Sequence, residues 1–392
     1  MITIKAFNKG LVCRDFQYEV GKTYEIPRKD VEICEHGFHA SANCDISETV
    51  DYYSVSEDTE YALVDINVVD KNNDKVVGDK ITIIKKLETL DEMIEYDKTG
   101  KWCIYFAENI KGANIKHLED AVIEKDQTGE WCAYFAENIK NANVKRLEDA
   151  VIRKDTTGEW CEKFAKFVKG ADVERLQSAV IEKDKDGKWC YWFARWVEGA
   201  DIKRLENTII RKDTTGEWCE KFAENIKDVN IKCLENTVIR KDTTGKWCAY
   251  FAEDVKGADI RRLEDAVIEK DQTGKWCEYF AEFVKGADIK RLENAVIEKD
   301  QTGEWCAYFA EFVKGADVEK LQNKVIRTDK TGEWCYWFAC WVKVVDIKRL
   351  ENAVIRKDTT GEWCEKFAEN IKGANIRRLE KVVEERAKKN VN

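Results

Sequence analysis

Four residues near the N-terminus, Cys34, His36, His39 and Cys44, are of the types that ligate zinc. Their Cys-x-His spacing matches none of the usual structural zinc patterns. A packed turn around Gly37-Phe38-His39 accounts for them equally well, so the expectation is no metal, with these four as the candidates. Arg14, Tyr24 and His39 offer a second chemistry, a transferase-like active site within residues 1–85. The chain holds fifteen cysteines, ten of which directly follow a tryptophan, from Cys103 to Cys364. Equivalent positions in stacked repeats lie roughly 9–10 Å apart, beyond the ~7 Å Cα limit for a disulfide. These ten read as small buried hydrophobes rather than as a redox or metal ladder. Carboxylates recur in nearly every unit at offsets that read as solvated, and no unique acid–base pair stands out. His117 takes a position that is mostly Arg in other units and reads as a surface substitution. Neither a Gly-rich phosphate loop nor a nucleophile elbow is present. No catalytic residue and no cofactor is expected.

The elements that carry these residues follow from a repeat. Trp-Cys recurs ten times between Trp102 and Trp363, every interval being 29 residues. In the unit that begins at Trp160, the residues Trp160, Cys161, Phe164, Ala165 and Val168 form one apolar helical stripe. Gly170 follows as a helix terminator, and Asp172 as the N-cap of a second helix with its own stripe of Val173, Leu176, Ala179 and Val180. Asp184-Lys185-Asp186-Gly187 then turns the chain back. Two short helices cannot bury their stripes alone, but stacked neighbours can, which is the logic of a solenoid. Leu87 to Lys98 reads as an incomplete first unit, with Thr89 where Leu is usual. The polar run Glu384-Glu385-Arg386-Ala387-Lys388-Lys389 reads as a C-terminal cap.

Positions that differ between units are where a partner would be recognised. Three and seven residues after each repeat Trp, on one helix edge, stand Tyr105, Tyr134, Phe167, Trp192, Trp196, Tyr250, Tyr279, Phe283, Tyr308, Phe312, Trp337 and Trp341, with Lys163, Lys221 and Lys366 interrupting. An aromatic ridge of this kind suits an interface, since aromatics dominate binding hot spots. The alternative is that these side chains only close the groove between units. Tyr-Trp-Phe-Ala-x-Trp-Val occurs at both Tyr191 and Tyr336, 145 residues apart, so a five-unit block was duplicated. Two equivalent sites would permit bivalent binding or a homodimer contact.

Residues 1–85 change character, with β-branched runs at Ile2 to Phe7, Tyr61 to Val69 and Lys80 to Lys85, punctuated by Gly10, Gly21, Gly37 and Asn72-Asn73. The stretch from Cys13-Arg14-Asp15-Phe16 to Tyr24, followed by Cys34-Glu35-His36-Gly37-Phe38-His39-Ala40, resembles an uncharacterised domain of bacteriophage and prophage proteins. Members often have Cys after that Ala; Ser41 stands here. The resemblance implies a phage origin and no mechanism. The repeat array is similar to HEAT and tetratricopeptide solenoids in architecture alone.

The expected fold is therefore α+β overall: a small β-rich domain (1–85), then an all-α two-helix-repeat solenoid of ten units with terminal caps (86–392). Residues 1–88 carry 17 acidic and 11 basic side chains, and the remainder 59 and 55. A nearly neutral array disfavours nucleic acid as partner, because phosphate neutralisation wants a basic surface. No apolar run suits a membrane span and no secretory signal opens the chain, so a cytoplasmic protein is expected. The expected function is non-enzymatic binding of a host protein, as a phage-encoded inhibitor of a bacterial host or defence component. The alternatives are a small-ligand or nucleotide sponge that stacks bases on the ridge, and an enzyme in residues 1–85 with the repeats as targeting arm.

Overall fold

The computed structural model describes residues 1–390. The β-branched runs form strands: β1 (Ile2–Asn8), β2 (Val12–Cys13), β3 (Phe16–Gln17), β4 (Thr23–Glu25), β5 (Phe38–Ser41), β6 (Thr59–Lys71) and β7 (Lys75–Leu87). They make one antiparallel sheet in the order β3-β2-β1-β6-β7-β4, with β5 also paired to β7. The β6–β7 hairpin turns at Asn72-Asn73, as the turn chemistry predicts. Alternation along β1 sends Phe7 into a core with Val64, Ile66, Val76, Ile81 and Ile83. The sheet curls until β1 meets β5, where the Thr3 hydroxyl donates to the Ser41 carbonyl at 2.6 Å and the Lys5 ammonium to the His39 carbonyl at 2.8 Å. Gly37 permits the close entry into β5, for its φ is +128° and a Cβ there would lie 2.5 Å from the Val77 side chain.

Helix α1 (Leu90–Glu95) is the truncated first unit, and Thr89 proves to be its N-cap in a reciprocal capping box with Glu92. Twenty further helices follow among the described residues. Nine-residue helices carrying the repeat Trp, such as Lys275–Phe283, alternate with eleven-residue helices carrying the repeat Leu, such as Ile289–Lys299. The chain divides into two compact units, Met1–Lys185 with Trp192–Asp201, and Asp186–Tyr191 with Ile202–Asn392. In the first, Trp102 is buried and packs edge-on against Tyr61 of β6 with ring centroids 5.8 Å apart, joining the sheet to the first repeats.

Within each repeat the helix ends are fixed by short polar side chains. Asp172 accepts from the Arg175 amide at 3.1 Å, the expected N-cap. The Asp that opens each Asp-x-Thr-Gly turn is buried and works harder. Asp271 Oδ1 accepts from the Thr273 and Gly274 amides at 2.9 and 3.0 Å, and its Oδ2 from Cys277 at 2.9 Å. It thereby satisfies orphan N–H groups of the next helix from before its start. Gly274 has φ +95°, and a Cβ on it would approach Val296 Cα to 3.3 Å. Only Gly serves both needs. The terminator expected at Gly170 lies past the helix end, since the helix closes at Val168 and Gly170 turns the loop at φ +87°.

Adjacent repeats are tied by a carboxylate that the sequence reading left in solvent. Glu264 follows the repeat Leu and is 3% exposed. Its Oε2 accepts the backbone amide of Asp288, the next unit's N-cap, at 2.8 Å, and its Oε1 accepts from Arg291 at 2.6 Å. Glu119, Glu148, Glu235 and Glu351 repeat this pair of bonds. Gln177 and Gln322 replace the carboxylate in the duplicated units, where the amide bridges both N–H and C=O of Asp201 and Asp346. We predict that Glu264→Ala lowers the stability of the second unit by about 2–4 kcal/mol, because a buried amide and a guanidinium lose their acceptor. Glu264→Gln should cost about 1 kcal/mol or less. Urea melts of both variants measure the contrast, and equal losses would contradict it.

Candidate functional site

The variable aromatic positions line one edge of the Trp-bearing helices. Tyr134, Phe167, Trp196, Phe283 and Phe312 are 40–50% exposed. Tyr105, Trp192, Tyr250, Tyr279, Tyr308, Trp337 and Trp341 are half-buried. The repeat Trp residues join them, which corrects the expectation that they fill the core. Apart from Trp102 they are half-buried, whereas the Cys and Leu of each unit are fully buried, as is the Phe in all but the first, where Phe106 is half-buried. At about 100° per residue the offsets 1, 4 and 8 point into the core, while the Trp falls beside offsets 3 and 7 at its margin. The interrupting lysines belong to the same surface, since the ammonium groups of Lys163, Lys221 and Lys366 lie 3.9, 4.6 and 4.1 Å from the ring centroids of Trp160, Trp218 and Trp363.

In the first unit Trp192 and Trp196 stack with centroids 6.3 Å apart, and Lys166 bridges Phe167 and Trp196 at 4.6 and 4.8 Å. In the second unit the rings run between successive repeats, Tyr250 to Tyr279 at 5.3 Å, then Tyr279 to Phe283 at 4.6 Å. Farther along, Tyr308 meets Trp341 at 5.5 Å, and Trp341 meets Trp337 at 5.0 Å. Carboxylates interleave with them, as Tyr279 donates to Glu253 at 2.6 Å.

Beside this second row lies acid chemistry that the sequence reading missed. Glu220 and Glu278 stand two residues after their Trp, 3% and 6% exposed. Burial, with Glu224 and Asp254 nearby, pushes the Glu220 carboxyl up to about 8. Burial and a neighbouring Glu282 do the same for Glu278, also to about 8. Glu162 rises to about 7 by burial, opposed by Lys166 and Lys163. The signal was available, because the equivalent positions elsewhere are mostly not acidic: Ile104, Ala133, Tyr191, Ala249, Ala307 and Tyr336, with Glu365 the exception.

A second candidate site opens in the β-rich domain, a cleft of about 1070 Å³ that gathers Cys13, Arg14, Tyr24, Cys34, His36 and His39 with Lys5 and Lys75. Arg14 and Asp15 form the two-residue tip of the β2–β3 hairpin, with φ of +51° and +63°. The Arg14 guanidinium reaches the Glu35 carbonyl at 2.5 Å. His39 is committed at both nitrogens, Nε2 accepting from the Cys34 amide at 3.0 Å and Nδ1 donating to the Gly37 carbonyl at 3.1 Å. Burial and the nearby Lys5 pull its pKa down to about 4, so the ring is neutral with no free lone pair for a proton or a metal. Cys34 and His36 line the cleft with it, and Cys44 does not. Among the described residues no three His, Cys, Asp or Glu side chains are grouped to hold a metal ion. His117 pairs with Asp91 of α1 at 2.6 Å.

The ten thiols of the repeats are free and fully buried, and burial raises Cys103, Cys132, Cys161, Cys219, Cys248, Cys277, Cys306, Cys335 and Cys364 above the usual thiol range, Cys364 to about 12. Among the described residues no helix is long and apolar enough to cross a membrane. The fold is that of a helical repeat protein behind a β-rich domain. Residues 1–95 match a family described as a domain of unknown function (DUF7666). Comparison with curated proteins finds no relative that matches the chain.

The buried carboxyls set a pH dependence. Their folded pKa values lie above the ordinary value of 4.5, so the penalty is absent below that value and grows as pH rises towards 8. Glu220→Ala and Glu278→Ala should each raise stability by on the order of 2 kcal/mol at about pH 9 and leave it nearly unchanged at about pH 4. Thermal melts across this range check the sign, and a gain at low pH alone would refute it.

Proposed function

We infer that the chain is a non-enzymatic binding protein whose repeats dock a partner protein along the aromatic ridge. The observation that carries this reading is the exposure of Trp196, Phe283 and Phe312, each 48%, at positions that vary while the core positions of the units stay constant. Large apolar rings held half out of the fold are costly in water and contribute most when a partner covers them. The partner's face should be rich in Arg or Lys. Aromatic faces attract cations, Glu224, Glu253, Glu282 and Glu311 recur on the same helices of the second unit, and the pKa values of Glu220 and Glu278 would fall once a cation arrived. On the resemblance of the first domain to phage proteins, the target is a bacterial host or defence protein, and inhibition by occupancy needs no catalytic group.

Affinity capture from a bacterial host identifies the target, and calorimetry with that purified protein tests the surface. Trp196→Ala and the double substitution Phe283→Ala/Phe312→Ala remove exposed rings and should leave the helical content intact. Each should weaken binding by about tenfold or more, and added salt should weaken the wild type. Unchanged affinity in both variants removes the ridge from the reading.

A further inference from the structure

The cleft of the first domain holds cations without counter-ions. Lys5 is 7% exposed, and its ammonium has a carbonyl and the Cys13 thiol as neighbours. Arg14 bonds a carbonyl, and Lys75 lies 4.2 Å from the Tyr52 ring centroid. Among the described residues none of the three is ion-paired to a carboxylate, although this part of the chain has an excess of acid. An ammonium nine-tenths buried and unpaired is expensive unless something anionic joins it, and burial already pulls Lys5 below the usual lysine range.

Two further features describe the rest of the ligand. Tyr52 lines the cleft, and its hydroxyl is buried and without a hydrogen-bond partner. Along the same cleft Phe16, 48% exposed, meets Tyr24 with ring centroids 5.3 Å apart and planes nearly perpendicular. Arg14, at a strained two-residue tip, lines the same cleft with its guanidinium on the Glu35 carbonyl.

We propose that this cleft binds a nucleoside phosphate, its phosphate on Lys5, Arg14 and Lys75 and its base against the Phe16–Tyr24 wall. Charge-assisted bonds to phosphate and stacking on an aromatic face are separately modest and jointly selective. A cleft of about 1070 Å³ has room for both halves. The site lies on the first domain and is independent of the ridge.

Calorimetry on the full chain with ADP, AMP, adenosine and inorganic phosphate tests the proposal. ADP or AMP should bind about tenfold or more tighter than adenosine or phosphate alone. Lys5→Met and Arg14→Ala should each weaken nucleotide binding by about tenfold, whereas Lys9→Ala, an exposed lysine paired with Asp58, should leave it unchanged. Arg14 is exposed, so Arg14→Ala carries the test should Lys5→Met fail to fold. No heat from either nucleotide, equal affinity for adenosine and ADP, or nucleotide binding indifferent to Arg14→Ala overturns it.

Discussion

A carboxylate held out of water between neighbouring repeats is the interaction on which the rest of the array depends. Each Glu that follows a repeat Leu, Glu380 of the last helix excepted, accepts the first free amide of the next unit's helix, and in most pairs an Arg from that unit as well. A helix N-terminus is electropositive and short of acceptors, so an anion there is worth more than on a free surface. The bond fixes the register between units, because an amide and a guanidinium must meet the same carboxyl. Fully buried Leu, Phe and Val side chains, each contributing ~2 kcal/mol, then pack in the geometry that the clasp sets. The Gln variants at 177 and 322 keep the geometry with a neutral group that pairs with both sides of one peptide.

Much of this was legible from residue spacing. The two-helix unit, the N-cap at positions such as Asp172, the polar turn and the β-branched strands follow from local rules, and the structure has them. What escaped was the placement of residues by contacts a unit length away. Glu264 looks solvated along its own helix, and only the amide of Asp288 explains its burial. The repeat Trp looks like core by composition, yet counting turns from Cys, Phe and Val would have put it at the margin. Lys163, Lys221 and Lys366 looked like gaps in an aromatic series until their ammonium groups were found over the rings.

The cleft was half legible. The stretches around Arg14 and around Cys34 to Ala40 marked the right residues, but a zinc or transferase chemistry built on His39 needs a free nitrogen, and both are spent on backbone. Lys5 carried no signal at all, being one charged residue in an ordinary strand. Its importance comes from the curl of the sheet, which brings β5 over β1. The chain thus divides its labour between a rigid scaffold of invariant positions and two surfaces with unspent chemistry, an aromatic ridge on the repeats and a cationic cleft ahead of them.

Amide hydrogen exchange at the N-cap positions tests the clasp most directly. Asp172, Asp259, Asp288 and Asp317 sit in loops with exposed side chains, where a backbone amide ordinarily exchanges as fast as any surface group. Because Glu148, Glu235, Glu264 and Glu293 accept these amides from the preceding unit, they should be as protected as the helix interiors beside them. Rapid exchange at these four positions, with slow exchange in the flanking helices, would show that the repeats stand together without the clasp and would contradict the account.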